Sequence, residues 1–151
     1  MEARNKRLAK ELKLLGSSQV KENFQVTSLD FKDKEDVLRV KLFGVENTLY
    51  AHEVFELQMR FPSSYPLQSP EVQFLRPAPR HPHIYSNGHI CLSILYEGWS
   101  PAMRVESILL SILSMLSSAS IKEHPDDDKD YVQFAPKSSK ATTWTFHDDR
   151  A

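Results

Sequence analysis

A chain of 151 residues with a formal net charge of −1 falls in the single-domain range and can enclose one hydrophobic core. The near-neutral balance supplies no overall basic field, which argues against nucleic acid as the main partner and leaves any basic function to a local face. A single cysteine excludes an internal disulfide and points to a reducing compartment, the cytosol or the nucleus.

The opening MEARNKRLAKEL has no apolar run of the kind a secretory signal needs, although its basic amphipathic character fits a transit peptide as well. Leu8, Leu12 and Leu15 recur at helical spacing among Arg4, Lys6, Arg7, Lys10 and Lys13. That spacing predicts a helix over 3–15, with one apolar stripe and one basic face, ended by Gly16. Over 24–74 the period changes to two. Phe55, Leu57, Met59 and Phe61 alternate with Glu56, Gln58 and Arg60, the mark of a strand with one buried face. Weaker alternation in Phe24/Val26, Leu38/Val40/Leu42 and Val72/Phe74, with turn residues between, predicts a four-stranded antiparallel meander.

Pro62, Pro66, Pro70, Pro77, Pro79, Pro82 and Pro101 then break regular structure, because each lacks a donor and restricts the residue before it. A long irregular loop in a compact domain is commonly functional. From Arg104 onward, Val105, Ile108, Leu109, Ile112, Leu113 and Leu116 predict a buried helix, with Ser111 and Ser114 small enough for close packing on the sheet. The apolar run 108–116 is far too short to cross a bilayer, so no membrane association is expected. Beyond Ser117 the chain is polar, with an acidic cluster at Asp126, Asp127, Asp128 and Asp130. No helical period is visible there, and Tyr131, Val132, Phe134, Trp144 and Phe146 are the only anchors of a weakly structured tail. The chain divides into a core of 1–118 and an acidic loop and tail of 119–151 within the same domain.

The informative segment is HPHIYSNGHICLSIL at 81–95, followed by Trp99-Ser100-Pro101-Ala102. A lone cysteine in an apolar phrase is often a small buried hydrophobe. Cys91, however, follows the turn dipeptide Asn87-Gly88 inside a proline-rich loop, so its backbone is irregular and can hold a thiol at the surface. Two other chemistries use the same residues: His81, His83, His89 and Cys91 as four zinc ligands, or a Cys/His hydrolase with His81 or His83 as base.

The run NTLYAHEVFELQMRFPSSYPLQSPEVQF, then HPHIYSNGHICLSIL, then WSPA and an Ile/Leu-rich helix resembles the core of the ubiquitin-conjugating enzymes across 48–116. The HPHIYSNGHICLSIL phrase and the Trp144-x-Phe146-His147-Asp148-Asp149 ending are similar to the W-type branch, which attaches ubiquitin to protein N-termini. The resemblance implies the α+β fold of that family: N-terminal helix, four-stranded antiparallel meander, long active-site loop, buried central helix and a short irregular C-terminal tail. It makes Cys91 the thiol that carries ubiquitin as a thioester and passes it to amines, without a resident cofactor or metal. Ubiquitin, an activating enzyme, RING or U-box ligases and substrates with flexible N-termini are the implied partners.

His83 stands where family members usually carry Asn, whose amide is proposed to stabilise the oxyanion of aminolysis. An imidazole can donate a hydrogen bond there, or simply brace the loop. His81 and Pro82 take the family's loop-ordering role. His89 is read either as a solvated loop residue or as a cation that raises thiolate content. Asp127 matches, across a longer loop, an acidic residue at the acceptor entrance. Lys6, Arg7 and Lys10 match the face that meets the activating enzyme. Leu67, Pro101 and Ala102 occupy the ligase-contact loops, with Leu67 replacing the bulky aromatic common there. A non-catalytic ubiquitin-binding variant of the fold and a conjugating enzyme for a ubiquitin-like modifier are the alternatives.

Overall fold

A computed structural model describes residues 2–30 and 36–146; the His147-Asp148-Asp149 part of the W-type ending lies outside them. Helix α1 (Glu2–Leu15) begins one residue before the predicted start, and its stripe buries Leu8 and Leu15 with Leu12 at the margin. Lys6, Lys10 and Lys13 are exposed. Arg4 departs from the predicted basic face. It is buried, with Nη2 paired to Asp36 Oδ1 at 2.8 Å and Nη1 donating to Phe61 O at 3.2 Å, and these acceptors let a guanidinium leave water.

Strands β1 (Phe24–Asp30), β2 (Val37–Phe43), β3 (Val54–Arg60) and β4 (Glu71–Phe74) form one antiparallel sheet in chain order. The register lines up Leu38, Met59 and Val72 in one row and Val40, Leu57 and Phe74 in the next. All six are buried on one face, as a two-residue period requires when a single side meets the core. In β1 only Phe24 is buried. Val26 is exposed, because β1 is an edge strand whose pairing with β2 shifts register between Val26 and Ser28.

Helix α2 (Val105–Ser117) buries Val105, Ile108, Leu109, Ile112, Leu113 and Leu116 in the same core as the sheet. Its serines do not make the contact predicted for them: Ser114 is exposed and Ser111 half-buried, so the branched aliphatic side chains, joined by Met115, fill the interface. Past α2, where no helical period was readable, the chain forms a short helix α3 (Asp128–Phe134) with acidic residues in its first turn, where they favour the positive end of the helix dipole.

Glu11 ties these parts together at one end of the core. Its buried carboxylate accepts from Arg7 Nε at 3.0 Å, from Tyr65 OH at 2.8 and 2.9 Å, and from Val105 N at 2.8 Å. The last bond satisfies a backbone donor of the first turn of α2 that the helix itself leaves open. One side chain of α1 thus fixes the start of α2 and the Tyr65-Pro66 loop.

Candidate functional site

The loop after β4 is stitched to the sheet before it reaches Cys91. Phe74 N donates to Gly88 O at 2.9 Å, and Gln73 bridges His89. Gly88 has φ +94°, and a Cβ there would lie 2.0 Å from Phe74 O, so the close approach needs glycine. Three residues on, Cys91 N donates to His83 O at 2.8 Å, and Tyr96 OH closes on Ile90 O at 2.6 Å. The Asn87-Gly88 turn in the sequence therefore sets where the thiol sits.

Cys91 forms part of a groove of about 720 Å³, shared with Pro82, His83, Tyr85, His124, Asp127 and Tyr131. The thiol is not open to solvent as the sequence suggested. Cys91 is only 7 % exposed, and Sγ lies 3.8 Å from Thr145 O. The cover is not apolar interior but residues 142–145 of the C-terminal tail, which form one wall of the groove.

The histidines differ sharply. His81 is buried; Nδ1 accepts from His83 N at 2.9 Å and Nε2 donates to Met115 O at 3.1 Å. Both ring nitrogens are committed to the backbone, which leaves His81 unsuited to act as a base or a zinc ligand. His83 is half-buried and faces the groove beside Pro82. His89 is neither solvated nor a cation. It is buried, Nδ1 hydrogen-bonds Tyr131 OH at 2.7 Å, and burial pulls its pKa below the ordinary range despite a hydrogen bond with the Lys137 backbone and the Glu71 carboxylate, which pull it up. It is therefore neutral near pH 7 and supplies no positive charge to the thiol. Among the described residues no three His, Cys, Asp or Glu side chains gather as a metal site.

The acidic loop is fastened to the cysteine loop at three points. Tyr85 OH donates to Asp127 Oδ1 at 2.9 Å, Ser86 N to Asp128 Oδ1 at 2.7 Å, and His124 Nδ1 to Ile84 O at 2.9 Å. Asp127 thus stands in the cysteine groove, with an exposed carboxylate. Burial, and after it the Asp127 carboxylate, raises the Tyr85 pKa well above the usual phenol range. Tyr85 stacks on Tyr131 at 4.0 Å, and Trp144 stacks on Tyr96 at 5.1 Å. Of the expected tail anchors, Tyr131, Trp144 and Phe146 join this aromatic cluster, whereas Phe134 is 79 % exposed.

Sequence reasoning missed Tyr85, Tyr96 and Glu11. The pairing of Arg7 with Glu11 at i,i+4 was the one available signal for Glu11. The tyrosines carried none, since apart from the Tyr96–Ile90 bond their partners are distant in the chain.

On the far side of α1, Arg7 Nη2 donates to Pro101 O and Met103 O, each at 2.9 Å, so its guanidinium braces a loop besides belonging to the basic face. Trp99 Nε1 donates to Pro66 O at 2.8 Å. These bonds tie the Pro66-Leu67 loop to Trp99 and the loop of Pro101 and Met103 to α1; Leu67 is 73 % exposed, and Pro101, Ala102, Lys6 and Lys10 are exposed as well.

Comparison with known proteins agrees with this arrangement. The family profile described as "Ubiquitin-conjugating enzyme" matches residues 7–145. The chain is 49 % identical over 149 residues to "Ubiquitin-conjugating enzyme E2 W" of Caenorhabditis elegans, covering 98 % of this chain and 97 % of that one. It is 56 % identical over 113 residues to "Probable ubiquitin-conjugating enzyme E2 17" of Arabidopsis thaliana, covering 74 % and 70 %. The crystal structure of ubiquitin-conjugating enzyme E2 UbcA1 from Agrocybe aegerita superposes with a TM-score of 0.81 at 39 % identity, over 91 % of this chain and 98 % of that one. A cysteine loop pinned to a four-stranded meander, a buried helix behind it and a family match across nearly the whole chain lead to one conclusion: the chain belongs to the ubiquitin-conjugating enzyme family.

Proposed function

We propose that Cys91 accepts ubiquitin as a thioester and transfers it to amines, with the α-amino groups of flexible protein N-termini as preferred acceptors. Enzymes of this family work with ubiquitin, an activating enzyme and ligases. The observation that carries the reading is the chain's only cysteine set in a groove with His83 and Asp127.

In loading, the Cys91 thiolate attacks the acyl carbon of ubiquitin held on the activating enzyme, and that enzyme's sulfur leaves as thiolate. An ordinary thiol with a pKa near 8.5 is about a few per cent ionised at neutral pH, which suffices for exchange between thioesters. In transfer, the acceptor nitrogen attacks the same carbon, the C–S bond breaks, and Cys91 departs as thiolate. In this reading His83 donates a hydrogen bond to the intermediate's oxyanion and Asp127 receives the acceptor's proton; their sharing of the Cys91 groove supports both roles. His81, Pro82 and His89 order the loop through the bonds described above.

The acceptor preference follows from acidity. A lysine with a pKa of about 10.4 is neutral to the order of 0.1 % or less at pH 7, whereas an α-amine near 7.7 to 8.0 is about 10 % neutral. A site whose acid is exposed and already bonded to Tyr85 suits the acceptor that needs less help. Likeness to an E2 W along 98 % of the chain supports the same choice. Lys6, Arg7 and Lys10 serve the activating enzyme, and Leu67, Pro101 and Ala102 serve RING or U-box ligases. A working thiol fits the cytosol or nucleus.

The test offers the charged enzyme a lysine-free peptide with a free α-amine beside its acetylated, lysine-containing counterpart. Faster consumption of the first is expected. Preference for the second refutes the acceptor assignment.

A further inference from the structure

We propose that residues 142–146 act as an autoinhibitory strap that shuts the Cys91 thiol in the resting enzyme and lifts before the thiol is loaded. The inference rests on Cys91 being the acyl carrier, and it concerns the regulation of that same site.

Thioester exchange between two proteins requires Sγ to reach a carbonyl carbon carried on a second folded surface. A cysteine 7 % exposed, with Thr145 O 3.8 Å from its sulfur, does not present itself that way. The groove beside it has room for an acyl chain, and residues 142–145 form its wall next to the thiol, with Thr145 O against the sulfur. The strap and a protein-borne thioester therefore compete for one position.

Its attachment is the kind that can open. Among the described residues, no backbone–backbone hydrogen bond joins 143–146 to the core; the last is Thr142 N to Ser139 O at 3.2 Å. Side chains hold the rest. Trp144 stacks on Tyr96 at 5.1 Å, lies against Tyr131 at 5.6 Å and Tyr85 at 6.0 Å, and donates from Nε1 to Ser139 O at 2.9 Å. Thr142 Oγ1 bonds Tyr131 OH at 2.9 Å, and Phe146 stacks on Tyr96 at 6.3 Å. Trp144 is the central latch, and the platform beneath it belongs to the cysteine loop and α3. Segments held by a few side chains, without ladder hydrogen bonds, open locally while the fold persists.

The lone cysteine makes the test a single-site measurement. Full-length protein is treated with iodoacetamide, and Cys91 alkylation is followed by intact mass, with thermal melting as a check on folding. Trp144→Ala is expected to raise the alkylation rate about tenfold or more over wild type, because thiol reactivity follows access. A rate within about twofold of wild type in folded Trp144→Ala overturns the strap. Wild-type protein gives a second readout independent of any variant. Attaching a bulky maleimide to Cys91 displaces the strap and shifts Trp144 emission to the red, a change lost in Trp144→Phe; unchanged emission after complete labelling also overturns the proposal. Neither measurement involves ubiquitin. A chain that behaves as stated here but never loads ubiquitin refutes the carrier reading, and with it the autoinhibitory role, while the opening cover over Cys91 stands.

Discussion

Replacing Glu11 by alanine should be among the most damaging single changes in the molecule, although Glu11 lies outside the cysteine groove. The carboxylate is 5 % exposed and accepts from Arg7 Nε, Tyr65 OH and Val105 N. Two of those donors belong to residues at most 2 % exposed and have no access to replacement water. Leaving a buried donor unsatisfied costs about 1–3 kcal/mol, whereas the Arg7 guanidinium is 33 % exposed and keeps access to water. Two orphaned buried donors, Tyr65 OH and Val105 N, therefore set an expected loss of about 4 kcal/mol. For a domain of this length that is a fall in Tm of roughly 8–16 °C. Glu11→Gln keeps one acceptor oxygen and should lose about half as much. Urea denaturation of the two variants beside wild type measures both numbers. A Glu11→Ala protein within about 1 kcal/mol of wild type would contradict the reading of Glu11 as the tie between α1, α2 and the Tyr65 loop.

Gly88→Ala should cost at least about 3 kcal/mol in the same assay, because it combines an unfavourable positive φ with a clash against Phe74 O. His89 gives a pH signature. Its folded pKa lies below its unfolded value, so the unfolded chain binds more protons as pH falls through that window, and stability present above pH 6.5 is lost on acidification. Thermal melts at pH 7.5 and 5.5 should show a smaller acid loss in His89→Gln than in wild type; equal losses would count against a buried neutral ring. Asp127→Asn should slow discharge to lysine about tenfold and to an α-amine by no more than about threefold, since the α-amine sheds its proton with less assistance. Equal slowing of both acceptors would remove Asp127 from proton capture. Leu67→Asp should cut ligase-stimulated discharge about tenfold, read against discharge without ligase, if the exposed side chain meets an apolar ligase surface.

Much of the fold was legible because its signals are local. The leucine spacing gives α1, the alternation around Leu57 and Met59 gives β3, and the aliphatic run after Arg104 gives α2, each needing only burial of one face. What local patterns could not give were positions set by partners far along the chain. Arg4 reads as one more basic residue of α1 until Phe61 O and Asp36 are folded against it. His89 reads as a loop histidine until Tyr131, 42 residues later, meets its ring. α3 has too few turns to show a period, and its acidic start reads equally well as a solvated loop. At the site, the resemblance singled out Cys91, His83 and Asp127, and the groove brings all three together. Exposure of the thiol was misjudged for a physical reason: the cover comes from Thr145, in a stretch whose composition suggests weak structure and whose docking depends on a platform of three tyrosines from the cysteine loop and α3.

The acyl-carrier role of Cys91 is tested most directly by incubating wild type, Cys91→Ser and Cys91→Ala with activating enzyme, ATP and ubiquitin, then comparing reducing and non-reducing gels. The account predicts a thiol-sensitive adduct on wild type, a thiol-resistant ester on Cys91→Ser and none on Cys91→Ala. An adduct that survives in Cys91→Ala, or a folded wild type that never charges, would contradict it.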